Sequence, residues 1–127
     1  MLVVPCIILS HYFTEVPAKD PCCIKEHKSD RINDANEITV TIEGKGNYEY
    51  PSAYGTLECK AHDQYKDPDC GLKAAADGQE AEHCASEWCF IDTSNINCAI
   101  VESEPSGYVK GQFYSYTYCN NTDVYSE

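Results

Sequence analysis

Nine cysteines in a chain of 127 residues limit what this sequence can fold into more than any other feature. Cytosolic thiols are kept reduced and are seldom so numerous without a metal, so a short chain with this usage reads as a disulfide scaffold working in an oxidising compartment outside the cytosol. The length suits one structural domain with a modest core. Nine is odd, so at most eight can pair within the chain. Cys22, Cys23, Cys59, Cys70, Cys84, Cys89, Cys98 and Cys119 are the expected disulfide formers. Cys6 is the candidate free thiol, because it lies in the apolar run Leu2-Val3-Val4-Pro5-Cys6-Ile7-Ile8-Leu9, where a buried thiol behaves as a small hydrophobe. A bridge from it to another chain is the alternative.

Charge narrows the partners. With 21 acidic residues against 9 basic ones the net charge is -12, which repels phosphate backbones and anionic lipid surfaces. Nucleic acid is not an expected partner. The same charge suits plain solubility or docking onto a basic face of another protein. The N-terminal apolar run is too short to span a bilayer, which takes about 20 residues. It also lacks the basic region that precedes the apolar core of a signal peptide. The chain is therefore expected to have no membrane span of its own and to be a mature form from which a targeting segment has been cleaved.

Local patterning predicts an α+β fold: a small disulfide-rich domain of short antiparallel strands, one or two short helices and many loops. Asp20-Pro21 resembles an N-cap followed by an N1 proline and predicts a short helix over residues 22–28. In Glu37-Ile38-Thr39-Val40-Thr41-Ile42 the β-branched apolar residues alternate with polar ones, which predicts a half-buried strand. Gly44-Lys45-Gly46-Asn47 is turn chemistry, and Tyr48 and Tyr50 alternate after it, so a hairpin ending before Pro51 is expected. Irregular structure is expected between Thr56 and Gly78. Asp77 and Glu80 have capping-box spacing, and Ala81, Cys84, Ala85 and Trp88 follow at i, i+3, i+4 and i+7, which predicts an amphipathic helix. Residues 98–101 form a short strand candidate, and Phe113 to Cys119 alternates as a longer one, with Tyr114, Tyr116 and Tyr118 sharing a face.

The densest cysteine block runs from Cys59 to Cys119. Cys84 and Cys89 lie five apart around the expected helix end, so their Cβ vectors diverge and they should bridge to different partners, with Trp88 packed over one of the disulfides. The strings Tyr50-Pro51-Ser52-Ala53-Tyr54-Gly55, Cys59-Lys60-Ala61-His62-Asp63, Pro68-Asp69-Cys70, Cys84-Ala85-Ser86-Glu87-Trp88-Cys89-Phe90-Ile91-Asp92, Asn97-Cys98 and Tyr114-Ser115-Tyr116-Thr117-Tyr118-Cys119 resemble a cysteine-rich module of extracytosolic proteins in dinoflagellates and other microalgae. It is loosely similar to kringle and fibronectin type II modules, which share a Trp-Cys centre. The resemblance covers residues 50–125 and divides the chain into a 1–49 N-terminal extension and a 50–127 cysteine-rich module. It implies a class and no chemistry. Thr93-Ser94-Asn95 replaces the proline turn usual after Asp92, and Asn120-Asn121 replaces two glycines, so the local turns and the family's disulfide pairing do not carry over.

Candidate sites read weakly. Cys59-x2-His62 and His83-Cys84-x4-Cys89 offer zinc ligands but not the short paired knuckles of structural zinc sites, so disulfides are expected and no metal or cofactor is assigned. His62-Asp63 has none of the contexts of a catalytic pair and reads as surface, and no catalytic residue is expected. Asp63, Asp67 and Asp69 lack a calcium-loop pattern and read as a solvated acidic loop. Asn120-Asn121-Thr122 is a glycosylation sequon if the chain passes through the secretory pathway. Tyrosine is enriched at interfaces and the N-terminal apolar run needs something to bury it, so Leu2, Val3, Val4, Ile7, Ile8, Trp88, Tyr114, Tyr116 and Tyr118 are the interface candidates, with a tyrosine-filled core as the alternative for the aromatics. The expectation is a non-catalytic accessory or structural subunit, docked on a larger protein complex in an oxidising lumen. In an alga the resemblance makes that a thylakoid-lumenal subunit of a photosystem-antenna complex. The alternatives are a secreted recognition module for a ligand or glycan, and a small secreted enzyme.

Overall fold

The computed structural model describes residues 20–120, so the apolar run, Cys6, Leu2, Val3, Val4, Ile7 and Ile8 lie outside the described residues. The strongest local pattern forms as expected. β1, Glu37–Ile42, pairs antiparallel with β2, Gly46–Pro51, in a register that sets Val40 opposite Tyr48 and Ile38 opposite Tyr50. Ile38, Val40 and Ile42 are buried, because a period of two puts alternate side chains on one face. The polar face closes on itself, with Thr39 Oγ1 donating to Glu49 and Thr41 Oγ1 donating to Asn47 Oδ1 at 2.9 Å. Gly44 and Gly46 bracket the turn with φ of +79° and +109°, values that favour glycine.

A second sheet has the order β3-β5-β4, from Cys89–Phe90 (β3), Glu104–Pro105 (β4) and Phe113–Ser115 (β5). Four disulfides join the pieces: Cys22–Cys98, Cys23–Cys89, Cys59–Cys119 and Cys70–Cys84. Cys84 and Cys89 thus reach different partners, and Cys6 is the cysteine outside these bonds. Two disulfides tie residues 22 and 23 to the 89–98 region across sequence separations of 76 and 66. Among the described residues, short antiparallel strands, one short helix and 3-10 turns held by four disulfides make a small disulfide-rich α+β domain.

Several local expectations yield to tertiary structure. Residues 22–28 form no helix. Cys23 pairs as an isolated bridge with Ile91, and Ile24 N–H donates to the Phe90 carbonyl, so this segment extends the second sheet's edge. The helix expected around Ala81 to Trp88 shrinks to a 3-10 turn, Glu82–Ala85. Trp88 instead exchanges two backbone hydrogen bonds with Lys60, which extended backbone allows and a helix does not. α1, Leu72–Ala76, forms where irregular structure was expected. Residues 96–98 make a 3-10 turn rather than a strand. The Phe113 strand stops at Ser115, and a 3-10 turn over Thr117–Cys119 swings Tyr118 away from Tyr114 and Tyr116.

The apolar interior has two centres. One is aromatic and aliphatic, built from the inner face of the hairpin with Tyr54, Trp88, Phe90, Val109, Tyr114 and Tyr116. The other is the sulfur-rich cluster of Cys23, Cys89, Ile91, Cys98 and Cys119. Gly55 closes the first, with φ +76° and a would-be Cβ 2.2 Å from Phe90 Cδ2. Phe90 is buried and its N–H donates to the Gly55 carbonyl, so neither side can yield. Gly55→Ala is expected to destabilise the fold by roughly 2–5 kcal/mol, from the left-handed backbone penalty and overpacking together. Urea titration reads the loss directly. No helix among the described residues is long and apolar enough to cross a membrane.

Candidate functional site

The most unusual chemistry lies where the loop after Cys59 meets the aromatic centre. Asp63 is 5% exposed and receives the Tyr54 hydroxyl on Oδ1 at 2.6 Å. Burial pushes its carboxyl above the ordinary carboxylate range, and the Tyr54 hydrogen bond, His83, the Trp88 indole and Lys66 partly offset that push. The Trp88 N–H is buried and completes no hydrogen bond. Burial and the neighbouring Asp63 likewise raise the Tyr54 phenol, so it stays a donor.

Rings surround this carboxylate. Trp88 packs edge-on against Tyr54, Phe90 and Tyr114, with centroids 5.2, 4.9 and 6.3 Å away, and against His62 at 5.2 Å. Such geometries match the ring quadrupoles. Between the rings is a cavity of about 30 Å³ lined by Tyr54, Asp63, Trp88, Tyr108, Tyr114 and Tyr116, among others. Its rim is the loop Ser106–Tyr108, folded by the Ser106 hydroxyl, which accepts from the backbone N–H groups of Tyr108 and Val109.

The interface candidates fall apart here. Trp88, Tyr114 and Tyr116 are buried, so they furnish core and cavity wall rather than a surface patch. Tyr118 is half-buried, and its hydroxyl accepts from the Cys22 N–H. His62 and Asp63 are both buried, against the expectation of a surface pair. His62 Nε2 lies 2.9 Å from the Glu58 carbonyl, so that nitrogen carries the proton. Asp69 pairs with Lys45, not with Asp63. Asn120 is exposed, in left-handed backbone. Sequence reasoning missed Tyr54 and Tyr108 as site residues, and no spacing pattern links them to Asp63.

Among the described residues, two groups bring three potential metal ligands within 4.8 Å: Cys23 with Cys59 and Cys89, and Cys70 with His83 and Cys84. Every cysteine in them is in a disulfide, and metals bind the thiolate.

Two histidines make the fold sensitive to acid. His27 is buried, with Nε2 2.7 Å from the Tyr54 carbonyl and Nδ1 unpartnered. Desolvation lowers the pKa of both His27 and His62 below 6.5. Their neutral forms stabilise the fold fully above the unfolded value, and this contribution is lost as pH falls through the depressed folded values. Asp63 has the opposite sign, since acidification relieves the cost of burying its charge. The urea midpoint is expected to fall as pH drops from 7 to 5. His27→Gln should flatten that decline and Asp63→Asn should steepen it.

The fold and site thus define a disulfide-held α+β domain with an aromatic cavity around one carboxylate. No family model, curated protein or solved structure matches the chain.

Proposed function

We propose that this protein is a non-catalytic accessory subunit, docked on a larger assembly in an oxidising lumen. Four disulfides suit an oxidising compartment outside the cytosol. The observation that carries docking is the pair Ile96 and Ile100, which are 85% and 91% exposed. They lie four residues apart on consecutive tight turns, and Cys98 between them is anchored to Cys22. A rigid pair of aliphatic side chains offers a partner apolar area with little entropy left to lose. The exposed carboxylates of Glu102 and Glu104 follow in the chain, and with a net charge of -12 they favour a partner with basic surroundings. The resemblance of residues 50–125 to the microalgal module gives the concrete form, a thylakoid-lumenal subunit of a photosystem-antenna complex. Native electrophoresis of source-cell extracts, probed for this chain, is the test. Migration with a large assembly, lost on Ile96→Asp/Ile100→Asp while the purified variant keeps its unfolding midpoint, is expected. Migration as a free 14.2 kDa chain contradicts docking.

The cavity favours a second reading, a secreted recognition module whose ligand enters beside Trp88. It draws on the same residues that were expected to face a partner, now as the walls of a recess.

A further inference from the structure

We propose that the cavity around Asp63 receives one primary alkylammonium group, with Asp63 as counter-ion and the surrounding rings as its walls. This rests on the reading of the cavity as a ligand site and names the ligand class. The cavity holds a single carboxylate among apolar rings. The basic groups that offset its burial, His83 and Lys66, do not line the cavity. A buried anion is retained only where something compensates it; inside the cavity the Tyr54 hydroxyl does so in part, and the ammonium adds the counter-charge. The faces of Trp and Tyr attract a cation within about 6 Å of the ring centroid, more strongly when water is excluded.

Hydrogen bonding selects within the class: the Asp63 carboxylate can accept from the N–H groups of a primary ammonium, and a quaternary ammonium has none to donate. Asp63 accepts from the Tyr54 hydroxyl on Oδ1, and a carboxylate offers about four acceptor sites, so the anion keeps acceptor capacity for the incoming N–H groups. With a net charge of -12 the whole molecule draws such cations in. The ammonium can come from a free amine or from a lysine of a docked protein.

The chain has one tryptophan, and it lines the cavity, so its fluorescence reports occupancy. The experiment titrates the full-length oxidised protein at constant ionic strength with n-butylammonium, Nα-acetyl-lysine methylamide, tetramethylammonium and n-butanol. A saturable change with n-butylammonium is expected, at least tenfold weaker for tetramethylammonium and n-butanol. Asp63→Asn should weaken it at least tenfold. If that variant does not fold, Tyr108→Ala at the half-buried rim, with its circular dichroism unchanged, should weaken binding several-fold. A matching response to the lysine derivative identifies lysine side chains as a source. Butylammonium binding without it identifies free amines, and both results support the ammonium site. An equal response to n-butanol overturns the ammonium assignment while leaving a ligand cavity. No saturable response to any of the four removes the cavity reading as well.

Discussion

Replacing Cys23 and Cys89 together by alanine is expected to destabilise the domain by about 4 kcal/mol, the loop-closure entropy returned to an unfolded chain of this separation. The two residues are 66 apart in sequence, and both are buried in the sulfur-rich cluster, so lost packing adds to the entropy. A small domain rarely holds more than about 15 kcal/mol in total, and the variant loses a large share of it. The Cys70/Cys84 pair closes a span of only 14 residues, for which the same relation gives about 3 kcal/mol. Parallel urea titrations of the two double variants should show the larger loss for Cys23/Cys89. Equal losses would mean that the cross-link between residue 23 and the second sheet is not what organises the core.

Trp88→Ala is the second large effect, at about 3–5 kcal/mol. The indole is 3% exposed and meets the rings of Tyr54, His62, Phe90, Tyr114 and Tyr116. Removing it leaves a hole continuous with the cavity around Asp63, and close-packed neighbours fill such a hole only partly. Trp88→Phe keeps a ring on β3's approach and should cost less than half as much. Unfolding midpoints followed by far-ultraviolet circular dichroism compare the two. A loss below about 1 kcal/mol for Trp88→Ala would show that the aromatic centre does not hang on this residue.

The class of fold was legible because its signals are local or compositional. The cysteine count announced a stapled domain, and the Ile38, Val40, Ile42 alternation with its glycine turn announced the hairpin. The helices were misplaced where a disulfide or a distant strand outweighs propensity. Ala81, Cys84, Ala85 and Trp88 have helical spacing, yet Cys84 is tied back to Cys70 and Trp88 pairs with Lys60, and both ties favour extended backbone after Ala85. Alternation from Phe113 to Cys119 predicted one long strand, but the chain turns at Tyr116 to bring Cys119 to Cys59. The site was hidden for a related reason. Tyr54, Asp63, Trp88 and Tyr108 meet only after the chain has folded, so His62-Asp63 read as a surface pair. What the alternation did carry was that Tyr114 and Tyr116 share a face. That face turned out to point inward.

The chain's compartment, its core and its cavity all depend on the four bonds, so the pairing itself is the most direct test. Protein isolated from its source with free thiols blocked, then cleaved after Glu87 and before Asp92 to separate Cys84, Cys89 and Cys98, gives peptides for non-reducing mass spectrometry. Partial reduction resolves the adjacent Cys22 and Cys23. The expected result is Cys22–Cys98, Cys23–Cys89, Cys59–Cys119 and Cys70–Cys84, with none of these eight thiols blocked. Blocked thiols at these positions would contradict the oxidising compartment, and Cys84 and Cys89 joined to each other would contradict the way the core is held.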